Sequence, residues 1–448
     1  MAYIPHTDAD RTAMLAAIGV ESLDALFDAV PEAERFPRLN LPSKSSEMET
    51  LWELQALANA NASAHDCAMF LGAGAYNHYI PSVVNHILMR GEFYTAYTPY
   101  QPEMSQGTLQ AIFEWQSMIS VLTGMEAANA SHYDGATSLA EAVTVAIAQS
   151  RGKRRKIILS PNVNPQYRAV ARTYHQGSGA RFVGDKSGRA TLEDLIDMLD
   201  ETTAMLVVQY PNFLGQIEDF TGLAKKVHDA GAMLCVVTNP MMLALFKSPG
   251  ELGADIVVGE GQSLGIPLSF GGPYVGFFAT KQEYVRKTAG RIVGETQDAE
   301  GRRAYVMTLR PREQDIRREK ASSNICTNQG LMALAACVYL SVVGKQGLRR
   351  VAELCYHKAH YAAEKMAQLP GYSVNTTLPF FQEFVVTCPR PVKDINTVLF
   401  EDHNIIGGYD LSKDYPDRAN QMLVALTETN TKAEIDDLVY GLAQAARG

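Results

Sequence analysis

The middle of the chain alternates short apolar runs with stretches of helical period. Runs at Lys156–Leu159, Arg181–Val183, Met205–Gln209, Met233–Val237, Ile256–Val258 and Val275–Ala279 predict strands. Between them, Thr137–Gln149, Pro165–Gln176, Leu192–Asp200, Thr221–Ala230 and Met241–Phe246 predict helices. Strands apolar along their whole length imply a parallel sheet covered on both faces. From about Gly330 the pattern changes: helices Leu331–Val343 and Leu348–Gln368, a strand Phe384–Thr387, a helix Val392–Asp402 and a strand Met422–Leu426. A last helix is announced by Thr431 with Glu434 three residues on, a capping box. Before the α/β section, Thr7–Val30 predicts two short helices. A link through Pro31, Pro37 and Pro42 follows, then a helical pattern over Ser46–Ala64 with Leu51, Leu54, Leu57 and Ala58 on one face. The expected organisation is an N-terminal helical arm (1–62), a large α/β domain (63–330) and a small C-terminal α+β domain (331–448).

Composition narrows the class. The 448 residues are 46% hydrophobic and 20% charged, which excludes a disordered or collagen-like chain. Forty Lys and Arg against 49 Asp and Glu give a net charge of −9, which argues against nucleic acid and anionic membrane as main partners. Six cysteines (Cys67, Cys235, Cys326, Cys337, Cys355, Cys388) form no C-x-x-C pair and no disulfide scaffold, so a reducing compartment is expected. The opening MAYIPHTDAD has no apolar run and does not read as a signal peptide, and Leu331–Val343 is too short to span a bilayer. A cytoplasmic protein is the expectation. His78, His86 and His132 have no metal-ligand spacing, so no metal site is expected. Gly72 and Gly74 lack the full dinucleotide fingerprint and read as a turn.

The chemistry begins at Asp134-Gly135-Ala136-Thr137-Ser138, a glycine and hydroxyls at the start of a helix. That is either a plain N-cap or an anion seat, because free N–H groups and the helix dipole converge there. Such a loop in an α/β domain followed by a small α+β domain suggests pyridoxal-phosphate fold type I, the aspartate-aminotransferase-like fold. That chemistry needs a carboxylate late in a central strand to hold the pyridine nitrogen protonated, and a lysine for the Schiff base. The strand from Met233 ends at Val237-Thr238-Asn239-Pro240 without a carboxylate, and no lysine occurs between Lys247 and Lys281. Lys281 opens a charged stretch and reads as a solvated helix residue. This chain is therefore expected to hold no pyridoxal phosphate covalently.

Four motifs, in order, carry a resemblance over nearly the whole chain. They are Tyr94-Thr95-Ala96-Tyr97-Thr98-Pro99-Tyr100-Gln101-Pro102-Glu103-Met104-Ser105-Gln106-Gly107, Val208-Gln209-Tyr210-Pro211, Gly271-Gly272-Pro273, and the segment from Arg312-Glu313-Gln314-Asp315 through Thr327. They resemble the glycine decarboxylase P-protein family. That family occurs as one long chain of two homologous halves, or as separate alpha and beta subunits. This sequence resembles the first half, the alpha subunit. The resemblance implies glycine decarboxylation, with transfer of the aminomethyl group to the lipoyl disulfide of H-protein. It also implies an alpha2-beta2 assembly in which the beta subunit carries pyridoxal phosphate on its lysine. Gln262 then stands where the partner has that lysine, and Val237 near where it has the ring-nitrogen aspartate. Asp134, Gly135, Thr137 and Ser138 become a vestigial phosphate loop.

Two segments remain as site candidates. Tyr94, Tyr97, Thr98, Tyr100, Gln101, Glu103 and Ser105 lie on a proline-broken polar-aromatic stretch joining two helices; it is either an active-site wall or a rigid loop at a subunit interface. Arg310, Arg312, Arg317 and Arg318 form a cluster suited to partner pairing or carboxylate recognition, with a solvated face as the plain alternative. Against the subunit reading stands a second one: a standalone binding or scaffold protein derived from an aminotransferase-like enzyme. Activity on mixing with a lysine-bearing partner separates the two.

Overall fold

The computed structural model describes residues 5–186, 188–321, 323–325 and 328–447. It divides into two compact units, Met1–Ala62 and Ser63–Gly448.

The first unit holds helices Asp8–Ile18 and Glu47–Asn59, each opened by a capping box, Thr7 with Asp10 and Ser46 with Glu49. Two 3-10 turns, Asp24–Phe27 and Glu32–Glu34, lie between them. Neither helix has a buried residue. The stripe expected over Ser46–Ala64 forms a helix that stops at Asn59, and Leu51, Leu54 and Leu57 are more than half exposed, as are Ile18, Phe36, Leu39, Leu41 and Trp52. Within the first unit nothing buries this apolar stripe.

The second unit is built on a seven-stranded sheet. In chain order its strands are β1 Ala127–Ala128, β2 Lys156–Leu159, β3 Arg181–Val183, β4 Thr203–Tyr210, β5 Met233–Thr238, β6 Ile256–Glu260 and β7 Gly276–Thr280. They lie in the order β1-β7-β6-β5-β4-β2-β3. β3, β2, β4, β5 and β6 run parallel, while β7 is antiparallel to β6 and β1 to β7. The expectation of a parallel sheet thus fails at one edge. The physical reason is the link from Gly261 to Val275, which holds no crossover helix, so the chain turns back beside β6. β2, β5 and β7 are buried along their whole length, which matches their unbroken apolar sequence. The helix expected over Met241–Phe246 is only a 3-10 turn, Met242–Ala244, held between Pro240 and the following chain.

Several elements have ranges that the sequence pattern did not give, β1 among them. Helix Gln106–Thr123 buries Leu109, Ile112, Trp115 and Ile119, and a hairpin pairs Ile292–Gln297 with Arg303–Thr308. Glutamine side chains zip helix to hairpin: Gln106 bonds both main-chain groups of Tyr305, and Gln116 both of Val293. The spacing Leu109, Ile112, Trp115, Ile119 is a helical signal in the sequence itself.

Helix Gly330–Ala367 turns sharply at Gly344, whose φ of 59° and ψ of −176° are not helical. Up to Cys355 its buried residues belong to the core beneath the large sheet. From Ala359 they join a second core around the antiparallel strands Ser373–Val374, Glu383–Thr387, Gln421–Ala425 and Tyr409–Asp410. By length and composition this helix could cross a membrane, yet nearly half of its most apolar stretch is packed inside the protein.

Candidate active site

In a parallel sheet the carboxyl ends of the strands open onto a crevice, because every chain leaves the sheet on that side. Here β4 delivers Gln209, β5 delivers Val237 and Thr238, and β6 delivers Glu260 to one small cavity, closed by Gly74, Tyr76, Asn164, Tyr167, Asn239 and Ser263. Its volume is about 40 Å³, against roughly 300–1,000 Å³ for ordinary ligand pockets. A larger cavity of about 350 Å³ opens beside it between Leu71–Ala75, Asp134, Asn164, Tyr167, Glu260 and Tyr274.

The Asp134–Ser138 segment does start a helix, Gly135–Gln149, with Asp134 as its cap. Two of its first three N–H groups are already used. The Asp134 carboxylate accepts from the Thr137 N–H at 2.7 Å, and the hydroxyls of Thr137 and Ser138 both donate to the Asp134 carbonyl. The Gly135 N–H donates to the Glu260 carboxyl at 3.0 Å, and that group also accepts from the N–H groups of Gln262 and Val275. Burial outweighs these three donors and pushes the Glu260 carboxyl up to about 8. Sequence reasoning missed Glu260. The signal was available, since an acidic residue at the end of a buried strand needs partners.

Gln262 is buried and fully engaged. Its carbonyl accepts from the Tyr76 N–H at 2.8 Å, and its amide donates to the carbonyls of Tyr76 (2.9 Å) and Ile266 (2.7 Å). Val237 is buried and offers no charge to a ring nitrogen. Set against pyridoxal phosphate, the pocket fails on each demand. Its lining holds no lysine for a Schiff base and no carboxylate at the end of β5, and the one carboxyl it holds, that of Glu260, is already seated at the helix N-terminus. The cofactor implied by the fold does not fit this chain's own crevice. Lys281 is not a solvated helix residue as expected from the sequence. Its ammonium pairs with the buried Asp255, which also accepts from the Leu234 N–H.

The Gly72–Tyr76 turn that Gln262 holds is tied again by Glu383, which accepts from the Ala73 N–H and the Tyr76 hydroxyl, both at 2.7 Å. Gly72 is required there: its φ is 56°, and a Cβ would lie 2.3 Å from that of Ala425. Burial pushes the Glu383 carboxyl up to about 7, opposed by its two donors. The folded state therefore keeps this proton where the unfolded chain has lost it. The stability this provides is full below about pH 4.5, the unfolded value, and is lost as pH rises through about 7. Glu383→Gln, which keeps a carbonyl for Ala73, should raise the urea midpoint relative to wild type at pH 8 and leave it unchanged at pH 4.5. A parallel loss at both pH values would mean that the carboxyl acts only through packing.

The Tyr94–Gly107 stretch does join two helices, Gly91–Tyr94 and Gln106–Thr123. Tyr94, Tyr97, Thr98 and Pro99 line a cavity of about 280 Å³ with Arg291, Asn328 and Gln329, and this cavity shares no lining residue with the small one at Val237. Tyr97 is 79% exposed, and Gln101 and Glu103 are also exposed; Ser105 is half-buried ahead of the second helix. Tyr100 has a different role. The guanidinium groups of Arg310 and Arg291 lie 5.0 and 5.3 Å from its ring centre, and its hydroxyl accepts from Arg291 at 3.0 Å. It anchors the stretch and leaves Tyr97 presented to solvent.

The four arginines separate. Arg312 is half-buried and donates to the main-chain carbonyls of Thr288 and Gly290, so it is a structural clamp. Arg310 pairs with Asp315 at 3.2 Å, while Arg317 and Arg318 lie on the surface. Arg291, which the sequence did not single out, is the buried member of the cluster. Among the described residues, one group has metal-ligand chemistry, His78, Cys355 and Glu428. Its His78 and Glu428 already pair at 2.6 Å, and the Lys358 ammonium caps the Glu428 carbonyl at 2.5 Å.

Comparison with known proteins follows the same line. Residues 1–442 match the family described as glycine cleavage system P-protein. The chain is 55% identical to the "Probable glycine dehydrogenase (decarboxylating) subunit 1" of Thermomicrobium roseum, over 99% of this chain and all of that one. It is 50% identical to the protein of the same name from Bacillus mycoides, over 98% of each. Among solved structures, the inhibitor-bound glycine decarboxylase (P-protein) of the glycine cleavage system superposes with a TM-score of 0.92 at 43% identity, covering 99% of this chain and 100% of that one. A sphingosine-1-phosphate lyase from Burkholderia pseudomallei, 15% identical with a TM-score of 0.66 over 93% of this chain and 94% of its own, shares the fold alone, that of pyridoxal-phosphate fold type I. The chain belongs to the glycine cleavage system P-protein family.

Proposed function

We propose that this chain is the non-lysine alpha subunit of a two-chain glycine dehydrogenase (decarboxylating). With a lysine-bearing beta subunit it decarboxylates glycine and passes the aminomethyl group to the lipoyl disulfide of H-protein, which is reduced. The observation that carries this reading is the crevice at Glu260 and Gln262, whose polar groups are bonded to this chain's own main chain, while Tyr94 and Tyr97 face outward. A family member that cannot seat the cofactor needs a second chain to hold it. When bound there, pyridoxal phosphate supplies an electron sink for the pair left by CO2. This chain's contribution is a wall. Tyr97, Thr98 and Glu103, on a stretch pinned by Tyr100, close a small site, orient glycine and exclude water from it. In the split layout the assembly is two of each subunit, and the cytoplasm is its proposed location.

The test is glycine–bicarbonate exchange with this chain alone, the partner alone, and both together. Exchange is expected only from the mixture, and borohydride should trap no adduct on this chain. An adduct mapped to any lysine here would sink the reading. So would a mixture that forms no complex and shows no exchange, which would favour the scaffold alternative.

The first unit supports the same reading. Its uncovered Leu39, Leu41, Trp52 and Leu54 are the apolar surface an assembling arm would bury. Deleting residues 1–45 should weaken association with the partner while the melting temperature of the α/β core changes little. Unchanged affinity by sizing chromatography would give the arm another role.

A further inference from the structure

The helix N-terminus at Gly135 ought to be the most favourable anion seat in the molecule, since its dipole and free N–H groups point into a cleft. It is instead partly occupied from within, beside the cavity of about 350 Å³ that Asp134, Ala136 and Glu260 line. Of its first three N–H groups, Gly135 donates to Glu260 and Thr137 to Asp134. The hydroxyls that would otherwise serve a ligand turn back onto the Asp134 carbonyl. Glu260 is not a passing neighbour. Its two oxygens take three main-chain N–H groups from three segments: the helix start, the turn after β6, and the chain entering β7 at Val275. There is little slack around it. A Cβ at Gly135 would lie 2.1 Å from the Tyr167 hydroxyl and 2.8 Å from the Glu260 nitrogen.

We propose that Glu260 is a built-in occupant of the phosphate seat, and that it keeps phosphomonoesters out of this chain independently of the missing lysine at position 262. Two separate locks then close the crevice. Gln262 replaces the covalent anchor and ties down the Gly72–Tyr76 turn, and the Glu260 carboxyl takes the place of the phosphate oxygens. Either lock alone suffices. Restoring a lysine would leave the phosphate nowhere to bind, and emptying the seat would leave an anion site without covalent capture. The assignment of position 262 to the covalent anchor rests on the family reading, and the test, which needs no partner chain, is separate from the two-subunit reading.

The test uses the full-length chain without partner. Inorganic phosphate and, separately, pyridoxal phosphate are titrated calorimetrically into wild type, Glu260→Ala, Glu260→Gln, Gln262→Lys and Glu260→Ala/Gln262→Lys, with folding checked by thermal melts. Glu260→Ala should bind inorganic phosphate at least ten-fold more tightly than wild type, whereas Glu260→Gln, of equal bulk, should behave as wild type. Gln262→Lys alone should yield no borohydride-trapped adduct with pyridoxal phosphate, and the double variant should yield one at position 262. If Glu260→Ala does not fold, Glu260→Ser, a truncation that keeps a polar side chain, makes the same comparison. A trapped adduct on Gln262→Lys alone overturns the proposal, as does a folded Glu260 truncation whose phosphate affinity equals that of wild type.

Discussion

Tyr97→Phe or Glu103→Gln should leave the complex with the partner assembled and its pyridoxal phosphate bound, while exchange falls roughly ten- to a thousand-fold. That is about 1.4–4 kcal/mol at about 1.36 kcal/mol per decade. Glycine is too small to be held by many contacts, so its site must be made small and dry by its walls. Tyr97 and Glu103 fit that task because nothing in their own chain buries them: Tyr97 is 79% exposed. Their backbone is nevertheless held, by the buried Pro99 and by Tyr100 beside Arg310 and Arg291. Tyr100→Ala should behave differently. It removes the anchor and the hydroxyl that accepts from Arg291, so it should lower assembly together with rate. If Tyr97→Phe instead gives full activity per assembled complex and less complex, the stretch is an interface loop and not a wall. Sizing chromatography and exchange on the same sample decide between these outcomes.

Trp115→Ala should cost about 3–5 kcal/mol of folding stability, the range for removing a buried large aromatic. Trp115 is fully buried in the core under the large sheet, on helix Gln106–Thr123, and its ring lies 3.3 Å from where a Cβ on Gly261 would stand. The cavity left behind would lie directly under the turn that carries Gln262. Trp115→Phe should cost much less. The indole N–H is buried without a hydrogen-bond partner, so replacing the ring by Phe forfeits no such bond while most of the volume stays filled. Urea midpoints of the two variants should therefore differ widely. Equal losses would mean that the indole nitrogen has a partner in solution, such as a buried water.

Much of the fold was readable because its determinants are local. The strands of the large sheet are runs of apolar residues, and helix starts carry their own caps, as at Thr7, Ser46, Asp134, Thr191 and Thr431. Helix Gln106–Thr123 was expected after the Tyr94–Gly107 stretch but without a range, although its apolar spacing is regular. Its polar residues Gln106 and Gln116 serve the hairpin and not the solvent. The hairpin Ile292–Gln297 with Arg303–Thr308 was hidden. Its turn end, Glu295–Gln297 and Arg303, is polar and exposed, which leaves only short apolar stretches to read.

The sequence by itself determined the chemistry this chain lacks. No lysine between Lys247 and Lys281 and no carboxylate ending β5 are facts of composition and order, and no folding can supply a missing functional group. It also determined that Asp134 caps a helix, since a cap acts on residues two or three positions away. Only the tertiary structure decided what stands in the place of that chemistry. Glu260 reaches Gly135 across 125 residues, Gln262 reaches Tyr76 across 186, and Glu383 reaches the same turn across 310. Likewise, of four arginines alike in sequence, the fold made Arg312 a clamp and left Arg317 and Arg318 at the surface. Local pattern reports which groups a segment owns. Which unsatisfied donor a buried carboxyl finally meets depends on strand order and on the turn from β6 back to β7, and these are settled when the whole sheet assembles.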